Sequence, residues 1–430
     1  MESHSQYAMQ LVSASLAPMV LKAAIELGVL EIIHRAGPGA QLSPSEIASQ
    51  LHSNNNPDAP AVLDRMLRLL SAHSILTCSV STDELDHVKV LRLYGLAPVG
   101  KYFIRDEDGG SLATILNFCH DKVNTDSWYH LTDAVLEGGL PFSKAYGMSA
   151  VEYNAIDARY GEIFRNSMKE FNAVLMKEIL ESYKGFEGLR TLVDAGGGDG
   201  TILNMIVSKY PTVKGINYDM APVIEKSPSY PGIEQIAGDI FENIPKGDAI
   251  FMKWMLHQYD DKRCLTILKN CYEALPNHGK VIVVDMVIPE APETTTSAKS
   301  LFQFDMFMMN MNTTGNLRTE KELGSLGKQA GFNTIQVACS AFNFSVVELF
   351  KNIYEALPDN GKMIVVNLVV PEAPETSLSA KSLLQCDMFL MNTTISESER
   401  TEKELESLAK QAGFYTIEVA CSVMELSKSM

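Results

Sequence analysis

The chain has 430 residues, 46% hydrophobic and 21% charged, an ordinary globular balance but too much chain for one ordinary domain. A formal net charge of -17 and a sequence pI near 5.0 give a surface that repels phosphate backbones and anionic lipid, so nucleic acid and membrane are excluded as expected partners. Seven cysteines (Cys78, Cys119, Cys264, Cys271, Cys339, Cys386 and Cys421) form no CxxC pair and are odd in number, as expected of free thiols in a reducing, cytoplasmic compartment.

The opening MESHSQYAMQ lacks a basic stretch before an apolar core, so no secretory signal is expected. Residues 7–35 carry apolar side chains at helical spacing (Leu11, Leu16, Val20, Ala24, Leu30) and read as one helix. Lys22 and Glu26 interrupt its apolar run, which argues against a membrane span. A second helix starts at LSPSEIASQL, with Ser43 or Ser45 as cap and Glu46 as an early acid. DAPAVLDRMLRLLSAHSIL gives a third, and LTCSV with VLRLYGLAPVGKYFI reads as a β-hairpin or wing. Residues 1–105 are therefore expected to form a small helical domain.

From about residue 190 the rhythm changes. Strand-like TLVDA, GINYD, IEQIAGD, DAIFMKW and KVIVVDMVI alternate with helical stretches, including residues 260–275. That alternation implies a parallel, doubly wound α/β sheet in the segment 106–352. KNCYEALPNHGKVIVVDMVIPEAPET (269–294) then recurs as KNIYEALPDNGKMIVVNLVVPEAPET (351–376), with 19 of 26 positions identical. The same offset of 82 links RTEKEL (318–323) to RTEKEL (400–405) and ACS (338–340) to ACS (420–422). Residues 353–430 thus read as a tandem duplicate of the C-terminal part of the sheet domain; two copies do not make a solenoid. The first copy is expected to occupy the sheet, because the shorter connection joins it to the fourth strand.

DAGGGDGT (194–201) follows a strand and opens a helix, where glycines let a ligand approach the backbone and free N–H groups point at it. A dinucleotide G-x-G-x-x-G would need glycine at position 201, which is Thr201. Asp219 ends the next strand, placed to bind ribose hydroxyls, and Asp239 ends the third strand, within reach of an adenine edge. A glycine turn with acids at successive strand ends favours a nucleoside without pyrophosphate, such as S-adenosylmethionine. FMKWMLHQYDD (251–261) puts Lys253 and His257 at the carboxyl end of the fourth strand, where ligands of open α/β sheets bind. An isolated histidine is more often structural; this location makes a catalytic base equally reasonable.

Over residues 7 to about 352 the chain resembles the plant caffeic acid 3-O-methyltransferase family. The resemblance is carried by QYAMQLVSASLAPMVLKAA, AGPGAQLSPSEIASQL, NPDAPAVLDRMLRLL, SWYHLTDAVLEGGLPFSKAYGM, LVDAGGGDG, VSKYPTVKGINYD, FMKWMLH and KNCYEALP. It implies a Rossmann-like class I methyltransferase sheet domain behind an N-terminal helical, winged-helix-like dimerisation domain. It implies methyl transfer from S-adenosylmethionine to a phenolic hydroxyl, leaving S-adenosylhomocysteine and needing no metal. Gly196, Asp219, Asp239 and Lys253 match cofactor contacts, and Ile240 stands where the family often has methionine. His257 matches the general base, and Asp285 the first of two acids flanking it. Tyr160, Phe164, Met168, Phe307, Met308 and Asn312 match the phenolic pocket, although periodicity alone favours ordinary core for them. Ser13 matches a residue reaching the partner's pocket, which implies a homodimer.

The departures bear on turnover. The family follows its histidine with aspartate, where this chain has Gln258, and its second flanking glutamate is replaced by Leu317. The duplicate has the reverse combination, Asn367 for Asp285 and Glu399 for Leu317. Phe118, Cys119 and Phe171 also differ from the usual pocket residues, leaving the phenol undetermined. A paralogue that binds the cofactor and dimerises with little or no turnover is the alternative expectation.

Overall fold

The computed structural model describes residues 4–52, 56–82, 90–311 and 315–351, with isolated positions 369–370, 400–401, 403 and 407. The single N-terminal helix expected over 7–35 is three helices, His4–Val12, Leu16–Glu26 and Val29–Arg35. A turn at residues 13–15 interrupts the first two, and Gly28 at φ +70° separates the second from the third. The left-handed backbone at Gly28 breaks the helix at little cost because glycine has no Cβ. The apolar spacing is continuous across both breaks, so periodicity alone gave one helix.

Ser43 opens the next helix, Pro44–Ala48: its hydroxyl accepts from the Glu46 N–H, and Glu46 closes a reciprocal capping box. The amphipathic helix Ala59–Ala72 buries Leu63, Leu67 and Leu70 against Leu30, Ile33 and Ile47. The strands β1 (Leu76–Thr82) and β2 (Val90–Leu96) form the antiparallel wing. Tyr94 of β2 is fully buried beneath it, its hydroxyl donating to Asp64 Oδ1 at 2.7 Å. On the outer side of the first two helices Tyr7, Met9, Leu11, Val12, Leu16 and Met19 are exposed. Among the described residues no single helix is long and apolar enough to cross a membrane.

The sheet domain contains β3 (Thr191–Ala195), β4 (Lys214–Asp219), β5 (Ile233–Ala237), β6 (Ala249–Lys253), β7 (Lys280–Asp285), β8 (Thr334–Ala341) and β9 (Phe344–Phe350). Their order is β5-β4-β3-β6-β7-β9-β8. The first five run parallel, and β9 inserts antiparallel between β7 and β8. The topology therefore switches direction between β3 and β6, opening a crevice at their carboxyl ends. Strand period two divides the core cleanly. Leu192, Phe251, Ile282 and Val284 face one layer with helix Ala158–Ser182, whereas Val193, Ile250, Val281 and Val283 face the other with helices Asp261–Ala274 and Glu320–Ala330.

The sheet takes β7, β8 and β9 from residues 280–350, the first copy of the repeat. Most of the second copy, including Asn367 and Glu399, lies outside the described residues. Its one described pairing is informative: Val369–Val370 run parallel to Arg400–Thr401. The first copy has the same bridge, Val287 to Arg318, 82 positions earlier.

Candidate active site

β3 runs into a loop in which Gly196 and Gly198 take φ +77° and +60°. Between them Gly197 leaves no room for a side chain: a Cβ there would lie 2.1 Å from Asn217 Oδ1 and 2.6 Å from Asp194 Cγ. Asp219, the last residue of β4, accepts from the Gly198 N–H at 2.8 Å and from the Met220 N–H at 2.7 Å. The acid thereby ties the glycine loop to the neighbouring strand. Asp239, just past β5, accepts from the Phe241 N–H at 2.8 Å, and Ile240 beside it is buried. Asn217 Nδ2 donates to the Gly198 carbonyl and to Gln235 Oε1, which leaves its Oδ1 buried without a protein partner among the described residues, as is Asp194 Oδ2. Burial raises the Asp194 carboxyl to about 7, against the opposing pull of Lys253.

Gly197→Ala is expected to force the loop outward, weakening nucleoside binding at least tenfold and stability by about 1–3 kcal/mol, as overpacking against fixed neighbours does. Calorimetric titration and thermal melting check both; wild-type values in both would show that the loop yields freely.

Lys253, last in β6, is buried and donates to Asn172 Oδ1 at 2.6 Å. Burial depresses its ammonium to about 8, while Asp285 and Asp194 act to hold the charge. Its Nζ lies 5.0 Å from the Trp254 ring centroid. Trp254 has φ +57°, uncommon for a residue with a large side chain, and turns the chain sharply out of β6. The short helical turn Leu256–Gln258 follows. His257 on it is 5% exposed, with Nδ1 at 3.1 and 3.2 Å from the two Asp285 oxygens and its backbone N–H donating to Asp285 Oδ2 at 3.3 Å. The carboxylate therefore fixes ring orientation and, by holding a proton on Nδ1, makes Nε2 the basic nitrogen. Leu317, at the position of the second expected acid, is buried among apolar side chains.

Tyr160 on the long helix Ala158–Ser182 is fully buried, its hydroxyl donating to Asn124 Oδ1 at 2.7 Å. Phe164 and Phe307 each meet Phe118, at 5.4 and 5.9 Å between ring centroids. Met168 packs on the same cluster, and Met308 is half-buried on the helix Thr296–Met311. Asn312 lies outside the described residues. Ser13 is exposed at the break between the first two helices.

Asn172, Asn124 and Asn217 were not foreseen as site residues. The first two lie 81 and 36 positions from the groups they hold, with no local pattern to flag them. Asn217 stands two residues before Asp219 on the same strand, and that adjacency was the available signal. Among the described residues no group of three His, Cys, Asp or Glu side chains has the arrangement to hold a metal ion.

Glycines, strand-end acids and an imidazole thus lie along one edge of the sheet, the arrangement expected around a nucleoside-bearing ligand. Residues 128–333 match the O-methyltransferase domain family, and residues 342–415 match it again. The second stretch ends 82 positions past the first, the offset of the repeat. Residues 9–106 match the O-methyltransferase dimerisation domain. The chain belongs to the O-methyltransferase family. It is 54% identical to a caffeic acid 3-O-methyltransferase of Medicago sativa, over 82% of this chain and 96% of that relative. It is 56% identical to O-methyltransferase 13 of Lophophora williamsii, over 80% and 94%. Its fold is shared with the calicheamicin-biosynthesis methyltransferase CalO1, solved in its SAH-bound form, at TM-score 0.67 and 23% identity over 81% of this chain and 99% of that one.

Proposed function

We propose that this chain transfers a methyl group from S-adenosylmethionine to the hydroxyl of a phenylpropanoid or related phenol, as a cytoplasmic homodimer, with His257 as general base. The observation that carries this reading is the His257–Asp285 pair at the carboxyl end of β6, beside the glycine loop. The names of the relatives support the acceptor class, and the dimerisation domain with its exposed apolar side chains supports the homodimer.

The residues present fit the cofactor. The glycine loop gives close backbone approach, Asp219 and Asp239 stand where ribose hydroxyls and an adenine edge would be held, and Lys253 and Ile240 flank them. When bound, S-adenosylmethionine supplies a methyl group already activated on a sulfonium. The chain's own task is to lower the cost of removing the acceptor's proton. A phenol near pKa 10 is mostly protonated at neutral pH, so its attack is helped by a positioned base that takes the proton. Asp285 stabilises the imidazolium that His257 becomes. Phe118, Phe164 and Phe307 form an aromatic wall suited to a flat acceptor ring.

Leu317 favours a second reading, a paralogue that binds the cofactor but turns over weakly, because leucine cannot accept a hydrogen bond from the base. One experiment separates the two. Labelled-methyl transfer is measured over a panel of hydroxycinnamates, flavonoids and simple phenols, with the full chain and with a truncation to 1–352. The truncation retains all seven strands of the described central sheet and is expected to bind S-adenosylmethionine and methylate a phenol as the full chain does. Cofactor binding without turnover on any phenol would replace the first reading with the second. Loss of binding on truncation would place the duplicate, residues 353–430, within the site.

A further inference from the structure

Arg318 is 4% exposed, and its side chain runs under the turn that carries His257. Nη1 donates to the Leu256 carbonyl at 2.8 Å and Nη2 to the Tyr259 carbonyl at 2.7 Å, one on each side of the histidine. Asp261 takes the remaining edge, accepting from Nε at 3.0 Å. A guanidinium presents these donors in a fixed plane, so the separation of the two carbonyls is set rather than merely satisfied. The Cys264 thiol reaches the same two carbonyls at 3.1 and 3.5 Å, but a thiol is a weak donor.

The main chain of the same residue is tied to the other half of the pair. The Arg318 carbonyl accepts from the Ile288 N–H at 3.1 Å, and Arg318 bridges in parallel to Val287, two residues past Asp285. The loop leading to it is moulded to the turn: a Cβ at Gly315 would fall 1.8 Å from the His257 carbonyl oxygen. The bridge is not incidental to one stretch of chain, since Arg400 pairs with Val369 in the duplicate.

We propose that Arg318 is the positioning residue of the active site: its guanidinium fixes the turn bearing His257, its backbone fixes the strand extension behind Asp285, and together they set the spacing of base and acid. This rests on the reading of His257 as general base. A displacement of about 1 Å at a reacting centre costs on the order of 10²-fold in rate, so the effect belongs in kcat rather than in cofactor affinity.

The test uses the full chain and a phenol that it methylates. Arg318→Met is expected to lower kcat about 10²-fold, with S-adenosylmethionine affinity unchanged by calorimetry, and Arg318→Lys to fall between. Placed in a His257→Ala background, Arg318→Met is expected to slow the residual rate no further, because a residue acting through the base has nothing left to position. An equal slowing in both backgrounds, or an unchanged kcat in Arg318→Met, would overturn the proposal. Should the methionine variant fail to bind the cofactor, the lysine variant decides: reduced kcat at intact affinity supports the proposal, wild-type kcat overturns it. A His257→Ala enzyme with full activity would instead remove the base itself, and this inference with it.

Discussion

His257→Ala is expected to lower kcat for phenol methylation by about 10²–10⁴, the usual contribution of a positioned general base. Affinity for S-adenosylmethionine is expected to stay within about twofold, because a group acting only in the transition state leaves ground-state binding intact. The geometry separates the two roles. His257 lies on the turn beyond β6, whereas Asp219 and Asp239, proposed to hold the cofactor, stand at or just past the ends of β4 and β5, two and three strands away in the sheet. Labelled-methyl transfer gives kcat and calorimetry gives the dissociation constant. A variant with wild-type kcat would show that the phenol loses its proton elsewhere, and a large loss of affinity would recast His257 as a binding residue.

Asp285→Asn is expected to cost a comparable 10²–10⁴, roughly, although the replacement is nearly isosteric. Asp285 is 3% exposed and accepts from the His257 ring, the His257 N–H and the Met286 N–H. An amide in its place can donate its own N–H to Nδ1. That hydrogen bond stabilises the tautomer with its proton on Nε2, the nitrogen needed as base, and gives no negative charge to offset an imidazolium. Combined with His257→Ala, the loss is expected to be far from additive, since the two act as one unit. Kinetics of the two single variants and the double variant check this, and additive losses would show that Asp285 acts on something other than the histidine. The same substitution is what the duplicate carries at Asn367, so a lobe built from the second copy would combine this defect with the acid Glu399.

The parallel strands, their order along the chain and the crevice were legible because each depends on local pattern: an apolar run, a glycine loop, a strand-terminal acid. The capping box at Ser43 and Glu46 was legible for the same reason, three residues apart. The N-terminal stretch reads as one helix because apolar spacing persists through both the turn at 13–15 and Gly28, where local backbone geometry makes the breaks. Within the candidate site, local pattern points to His257, Asp285, Lys253 and the glycines, but not to Asn172 or Arg318, which pack against them. Asn172 meets Lys253 across 81 residues and Arg318 meets Leu256 across 62. Such contacts follow from the packing of whole elements, and no spacing in the chain encodes them. In the sequence Phe118 is only a departure from the family pattern; its place between Phe164 and Phe307 depends on three helices meeting.

Among the described residues the seven-stranded sheet ends at Phe350, and the glycine loop, Asp219, Asp239 and Lys253 all lie upstream of the repeated stretch. The repeat in the sequence therefore copies neither the glycine loop nor Asp219 and Asp239. One S-adenosylmethionine per chain is therefore the expected calorimetric stoichiometry, although the family match falls on two stretches of it.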